Sequence, residues 1–358
     1  MKKKNAALID PYLDVLGGGE RYALSIMKLL EQNGYNITLF WNTNISQQIQ
    51  QKLDISFQSL QFRPKQTSSF FSRLRQFSEY DILLYISDGS YFISHAKHNF
   101  VYAMIPDRKL YASSLLNTFK LRNWKFITHS LFNKHHLMRW GINSKVLYPS
   151  IDDVFTKGQT IKKEHIILSV GRFFPHLHSK RQDIIIKTFK ELKQKSEMIK
   201  KFDLYLAGGL KEEDKEYYSY ILKLADGDPS IHFLPNIPYD ELVQLYYRSM
   251  FYWHFAGYGV DENVHPECTE HFGIAPLEAM ACGAIPFAYN AGGPRETISH
   301  QETGFLFSSV DELEKCMELV YTDENRRESM IKKGKDYINS QFSYDAFENN
   351  ASKIFLNK

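Results

Sequence analysis

Cysteine is scarce: Cys268, Cys282 and Cys316 are the only three in 358 residues, and all lie late in the chain. An odd number without paired spacing excludes a disulfide framework and a cysteine zinc site, and predicts a reducing, cytoplasmic setting. Long hydrophobic runs are missing too. No stretch approaches about 18 uninterrupted apolar residues, so no segment reads as a membrane-spanning helix. Lys2, Lys3 and Lys4 precede an apolar run of only Ala6 to Ile9, cut off by Asp10 and Pro11, which suits a first β-strand rather than the core of a secretory signal. The dinucleotide fingerprint is absent: Gly17-Gly18-Gly19 does not form G-x-G-x-x-G, and no acid stands about 20 residues further on at the end of a second strand. Neither zinc-finger spacing nor an RNA-binding aromatic motif occurs, which argues against nucleic acid as a partner.

What the chain does have is alternation. Its length exceeds one typical core, so two domains are expected. Apolar strand patterns at Ala6 to Ile9, Asn36 to Trp41, Ile55 to Phe62, Asp81 to Ile86, Asn99 to Ile105 and Lys125 to Thr128 are separated by helical ones, the clearest at Leu131 to Trp140. Residues 149–164 are polar and aperiodic, as a linker would be, and alternation restarts at His165 to Val170. Asp240 is placed to cap a helix running to Arg248. The pattern predicts an α/β fold of two Rossmann-like, doubly wound parallel-sheet domains, 1–150 and 151–341, with a last helix over about 342–358 packing back on the first.

Charge is uneven. Residues 1–150 hold 19 Lys/Arg against 9 Asp/Glu, whereas residues 151–358 hold 25 against 32. A basic first half suits an anionic membrane surface or a phosphorylated acceptor. Two segments, Phe70 to Phe77 and Lys109 to Lys125, mix basic and aromatic residues as surface helices on anionic lipid do. A helix with core aromatics and a solvated basic face has the same composition.

The chemistry concentrates in Glu270-His-Phe-Gly-Ile-Ala-Pro-Leu-Glu278. Gly273 precedes a helical pattern, Pro276 suits its first turn and Gly283 its stop. A loop entering a helix through glycine is a seat for an anion such as a diphosphate, and carboxylates beside it suit sugar or ribose hydroxyls. The alternative is that Glu278 complements the helix dipole and Glu270 is a solvated loop acid. Further candidates stand at predicted strand ends, where open α/β sheets bind ligands: Arg172 and Lys180 around the loop after Val170, Gly208 and Gly209, Asn236, and His254. Gly17 to Gly19 either make a tight turn or bring backbone N–H groups to a ligand. His176 and His178 lack a partnering acid or cysteine nearby in sequence, so no metal site is expected there.

The sequence EHFGIAPLEAMACG, with GGGER near the start, Gly171-Arg172…Lys180 and Gly292-Gly293-Pro294, resembles the family 4 retaining glycosyltransferases of GT-B fold along essentially the whole chain. It looks particularly like the Alg11-type mannosyltransferases of lipid-linked oligosaccharide assembly and bacterial polysaccharide transferases. The resemblance implies two domains facing across a cleft, a GDP- or UDP-linked sugar on the second, and a glycan or lipid-linked glycan acceptor on the first. It assigns the ribose to Glu278, the donor sugar to Glu270 and the backbone of Phe272, Gly273 and Ile274, and the diphosphate to Arg172 and Lys180, approached by Gly18 and Gly19. It further implies retention of anomeric configuration, no cofactor or metal, and work at the inner face of the cytoplasmic membrane. Related enzymes carry a histidine where this chain has Met104; His129, at the next strand end, either substitutes for it or is structural. A nucleotide-sugar-binding protein without catalysis and a GT-B sugar phosphorylase are the competing expectations.

Overall fold

A computed structural model of the chain describes residues 4–64, 70–111, 114–158 and 161–356. They divide into two compact units, the first comprising residues up to Tyr148 together with those from Glu348, the second Pro149–Phe347.

The first unit contains β1 (Lys4–Ile9), α1 (Gly18–Gln32), β2 (Tyr35–Leu39), α2 (Ser46–Leu53), β3 (Leu60–Phe62), α3 (Phe70–Phe77), β4 (Ile82–Ile86), β5 (His98–Tyr102), α4 (Leu115–Leu121), β6 (Trp124–Thr128), α5 (Leu131–Arg139) and β7 (Ser144–Val146). Its seven strands, all paired in parallel, are ordered β3-β2-β1-β4-β5-β6-β7. The order reverses between β1 and β4, as in a doubly wound sheet. Helices on both faces make central strands apolar on both sides, and all five residues of β4 are buried.

The second unit contains α6 (Asp153–Thr156), β8 (Glu164–Val170), α7 (Gln182–Lys195), β9 (Asp203–Gly208), α8 (Lys215–Ala225), β10 (Ile231–Pro235), α9 (Tyr239–Arg248), β11 (Ser249–His254), α10 (Ile274–Ala281), β12 (Ile285–Tyr289), α11 (Pro294–Thr297), β13 (Phe305–Phe307), α12 (Val310–Thr322) and α13 (Glu324–Gln341). Six parallel strands run β10-β9-β8-β11-β12-β13, reversing between β8 and β11. A last helix, α14 (Tyr344–Phe355), begins in the second unit and ends in the first, where Phe355 lies 4.7 Å, ring to ring, from Phe100 of β5.

Three local expectations need correction. The strand expected from Ile55 is only Leu60–Phe62, because the N–H groups of Gln58 and Ser59 donate to Glu31 Oε1, both at 2.7 Å, instead of to a neighbouring strand. Asp240 does not cap α9: Pro238 holds that position, and Asp240 lies in the first turn, where its charge suits the helix dipole. The stretch after Pro149 is not a free linker. Ile151 and Phe155 are buried, Ile151 N–H donates to Phe342 O at 2.7 Å, and Tyr247 Oη donates to Phe155 O at 2.8 Å. Two apolar anchors in a polar sequence tie it to the second unit.

Just past β1, Asp10 is 3% exposed; its Oδ1 accepts the Tyr12 N–H at 2.8 Å and its Oδ2 has no partner. Burial pushes its pKa up to about 7, offset in part by the Tyr12 N–H and reinforced by nearby Glu20. The native state therefore holds a proton that the unfolded chain releases near pH 4, and this term lowers stability as pH rises from about 4 to 7. Asp10→Asn keeps the acceptor for Tyr12 without the titration. Denaturation across this range is expected to give equal stabilities near pH 4 and a variant more stable by roughly 2–4 kcal/mol at pH 8; a pH-independent difference would contradict the assignment.

Candidate active site

The loop from β11 to α10 is shaped by close backbone approach. Gly293 N–H donates to Glu270 O at 2.8 Å. A Cβ on Gly292 would stand 2.2 Å from that same carbonyl oxygen, and one on Gly293 would stand 2.4 Å from Phe272 Cα. The glycine pair thus lets the loop after β12 press onto the Glu270 to Phe272 backbone. Glu262 locks the arrangement, accepting the Gly292 N–H at 2.9 Å through Oε2 and an Arg295 N–H through Oε1. Gly273 enters α10 at φ +94°, a conformation that disfavours any side chain. Ile274 opens the helix, whose first-turn N–H groups have no intrahelical acceptor. The helix stops as expected at Gly283, where Ala284 N–H donates to Ala279 O at 2.8 Å and Gly283 N–H to Met280 O at 3.0 Å.

Glu270 is held by residues from two other strand ends. Its Oε2 accepts from Lys180 Nζ at 2.5 Å, and His254 Nε2, at the end of β11, stands 2.9 Å away but outside hydrogen-bonding alignment. The side chains of Lys180, Glu270 and His254 are 16%, 13% and 2% exposed, so solvent screens this group little. Burial opposes ionisation of Glu270, but the Lys180 ammonium, followed by His254, outweighs it and holds the carboxyl well below its usual range. Burial pushes His254 down, and likewise lowers His178 to about 4, with Lys180 adding to the effect. His271 is lowered to about 3 by burial and by His178, whose ring lies 5.3 Å from its own. At neutral pH the three imidazoles are uncharged, and Lys180 is the cation that balances Glu270. His254 Nε2 and His178 Nδ1 are buried polar atoms without a hydrogen-bond partner. These groups lie where the sheet order reverses, at the carboxyl ends of β8 and β11.

The other candidates separate into those brought to this group and those held elsewhere. Glu278, one helical stretch further, accepts from Tyr246 Oη at 2.9 Å. The Tyr246 ring stacks on Tyr252 at 6.0 Å and Tyr252 on His254 at 6.3 Å, so a layer of rings links the supports of the two acids. Both tyrosines are buried and their pKa values pushed well above 10, which keeps them as neutral donors. Neither was singled out in the sequence, although Tyr252 and His254, two apart on one strand, share a face. Arg172 is engaged away from Glu270: Nε donates to Asp214 Oδ2 at 2.9 Å and Nη2 to Glu213 Oε1 at 2.8 Å. Asn236 clamps a turn, accepting the Leu210 N–H at 2.9 Å and donating to Leu210 O at 3.1 Å. Gly208 serves packing, since a Cβ there would stand 2.1 Å from Gly171 O, and one on Gly171 would stand 2.3 Å from Lys180 Cγ. A Cβ on Gly209 or Gly18 would meet nothing within 4 Å. Phe272 is buried, its ring 5.8 Å from Phe342.

In the first unit, His129 is buried with Nδ1 2.9 Å from Tyr102 Oη, and the Tyr102 ring lies 4.6 Å from Tyr22. Met104 packs its sulfur against α1, where a Cβ on Gly19 would stand 2.1 Å from Sδ. Gly19 is therefore explained by Met104, whereas Gly18 is not explained by packing. Among the described residues, no three His, Cys, Asp or Glu side chains converge as a metal site.

Comparison with known proteins agrees with this architecture. The chain is 29% identical over 232 residues to the GDP-Man:Man(3)GlcNAc(2)-PP-Dol alpha-1,2-mannosyltransferase of Xenopus laevis, covering 60% of this chain and 45% of that protein. It is 28% identical over 227 residues to the alpha-1,3/1,6-mannosyltransferase ALG2 of Mus musculus, covering 57% and 50%. The chain thus spans half or less of the length of these relatives. Among solved structures, a glycosyltransferase from Rickettsia africae superposes with a TM-score of 0.75 at 16% identity over 100% of this chain and 99% of the other. HepE from Anabaena, solved with UDP, gives 0.74 at 16% identity over 99% and 100%. These likenesses identify the fold as GT-B. Residues 150–337, the stretch that carries Lys180, Glu270 and Glu278, match the family model for glycosyl transferases group 1, and the chain belongs to that family.

Proposed function

We propose that this glycosyltransferase moves a hexose from a nucleoside diphosphate sugar, GDP-mannose first among donors, to a lipid-linked or polysaccharide glycan, with retention of configuration and without a metal. The observation that carries the reading is the buried Lys180–Glu270 pair, with His254 against the carboxylate and the unpartnered His178 Nδ1 nearby, at a sheet's switch point and next to the start of α10. A pair so placed offers a cation for a diphosphate and a carboxylate for sugar hydroxyls. The matched relatives named for GDP-mannose and dolichol-linked acceptors support that choice of donor and acceptor.

In the reaction, the bond from the anomeric carbon to the diphosphate oxygen breaks, the acceptor oxygen bonds to that carbon from the same face, and the acceptor proton passes to the departing phosphate. Lys180 and the first-turn N–H groups of α10 stabilise charge developing on the leaving oxygens. Glu270 fixes the sugar, with His254 and His178 available to its hydroxyls or the phosphate. Glu278, oriented by the Tyr246 hydroxyl, takes the ribose hydroxyls. Arg172 would join the diphosphate by exchanging Asp214 and Glu213 for phosphate oxygens. The second reading, donor binding without turnover, is favoured by one observation: Met104, packed on Gly19, offers no exchangeable proton at the first unit's strand ends. Donor binding without product in the presence of a lipid acceptor extract would select it.

Because Glu270 and Lys180 are buried together, removing one partner leaves an uncompensated charge. Lys180→Met is expected to lower stability by about 3 kcal/mol in urea denaturation, and adding Glu270→Gln to recover most of it. Equal stability of the single and double variants would show the pair not to be mutually compensating.

A thermal-shift panel of UDP- and GDP-sugars tests the function itself. GDP-mannose is expected to raise the melting temperature, Glu278→Gln to weaken donor affinity about tenfold, and Lys180→Met to cut transfer by about 10²–10³. If no nucleotide sugar or free nucleotide shifts the melting temperature, the reading fails.

A further inference from the structure

The basic–aromatic segment Lys109 to Lys125 has two readings in the sequence, and the structure distinguishes them. At its ends, Tyr111 and Trp124 are core residues. Between them, α4 buries no residue at all: Leu115 is 93% exposed, Leu116 61% and Phe119 54%. A helix packed through core aromatics would bury Phe119. Instead the Arg122 guanidinium lies over the exposed Phe119 ring, 4.1 Å from its centroid. Ser114 caps the helix, accepting the Asn117 N–H at 3.1 Å, so the element is formed although it contributes little to the core.

The neighbouring helix continues the pattern. On α5, Asn133, His136 and Leu137 face inward, while Leu131 is 51% and Met138 61% exposed. Because β5, β6 and β7 are adjacent, parallel and traversed in one direction, right-handed crossovers put α4 and α5 on the same face of the sheet. Leu115, Leu116 and Leu131 open their helices and therefore sit toward the carboxyl edge of that sheet. Charge is one-sided over the same stretch. Residues 108–151 contain eight Lys/Arg and not one Asp or Glu, and Arg108, Lys109, Arg122 and Arg139 are exposed, whereas Lys125 lies over Phe100 on the other side of the sheet. For the second such segment, α3, the side chains of Phe70, Phe71 and Arg73 lie outside the described residues, and it contributes nothing here.

We propose that the α4–α5 face is a docking surface for an anionic lipid bilayer, with Leu115, Leu116 and Phe119 entering the boundary between headgroups and acyl chains and the surrounding cations meeting lipid phosphates. The occupant follows from the combination: phosphates alone would leave five large apolar side chains in water, and a neutral apolar partner would leave the cations uncompensated. Docking by this face holds the carboxyl edge of the first unit's sheet close to the lipid surface. The surface stands independently of the donor reading, since its chemistry uses none of the same residues.

Flotation of the full chain with mixed phosphatidylcholine–phosphatidylglycerol vesicles, against pure phosphatidylcholine, is the test, without any nucleotide sugar. Binding is expected to anionic vesicles only and to fall with salt. The variant Leu115→Ser/Leu116→Ser/Phe119→Ser is expected to lose at least about tenfold in partitioning. The variant Lys120→Gln/Arg122→Gln is expected to lose about thirtyfold. Both should keep the wild-type melting temperature and donor-induced shift, because α4 supplies no buried residue. No flotation, equal binding to neutral vesicles, undiminished binding by both variants, or preference for single-stranded RNA over anionic vesicles would each overturn the proposal. A failed donor panel would leave it standing, and failed flotation would leave the donor reading standing.

Discussion

A carboxylate removed from water has to be balanced by a cation placed within contact distance, and the second unit is arranged around one such pair. Glu270 comes from the loop before α10 and Lys180 from the loop after β8, 90 residues apart in sequence. Bringing them together requires three close approaches. The Lys180 stem lies on Gly171, the Gly171 carbonyl against Gly208, and the Gly292–Gly293 turn against the Glu270 to Phe272 backbone. Each contact excludes a Cβ. The glycines at these strand ends act first as spacers that permit the ion pair; Gly273 is required by its positive φ, and Gly209 and Gly18 are the glycine candidates left without a packing or conformational reason.

The electrostatics around the pair are economical. His178, His254 and His271 are held neutral by burial, so adding imidazoles near Lys180 adds hydrogen-bonding capacity without added positive charge. His178 keeps a buried nitrogen unpartnered, which a folded protein tolerates at a cost unless a ligand completes it. Glu278 stands on a different footing, half-buried and bonded to the neutral Tyr246 hydroxyl. The two acids of the sequence motif thus have different environments, which fits different tasks.

Much of the fold was legible because parallel strands covered on both faces are short apolar runs, and β4, β8 and β11 announce themselves in that way. The helix after Gly273 and its stop at Gly283 were legible because turn chemistry is local. What depends on distant partners was not. Nothing near Gln58 and Ser59 signals that Glu31 takes their N–H groups and ends the strand early. Likewise, Arg172 looked like a free cation until Asp214 and Glu213, about forty residues on, were placed against it. Tyr246 and Tyr252 were missed because a buried tyrosine reads as core until its hydroxyl is found on a partner, here the Glu278 carboxylate for Tyr246 and the Val170 carbonyl for Tyr252. The exposure of α4 was equally unreadable, since its composition fits core packing and lipid contact alike.

The central claim is that Lys180 and Glu270 form the seat of a nucleotide-linked sugar. A crystal structure of the chain with GDP-mannose tests it directly. The account predicts the diphosphate at the start of α10 within hydrogen-bonding distance of Lys180 Nζ, with Glu270 turned to a sugar hydroxyl. A nucleotide bound elsewhere, with the Lys180–Glu270 pair closed and untouched, would contradict it.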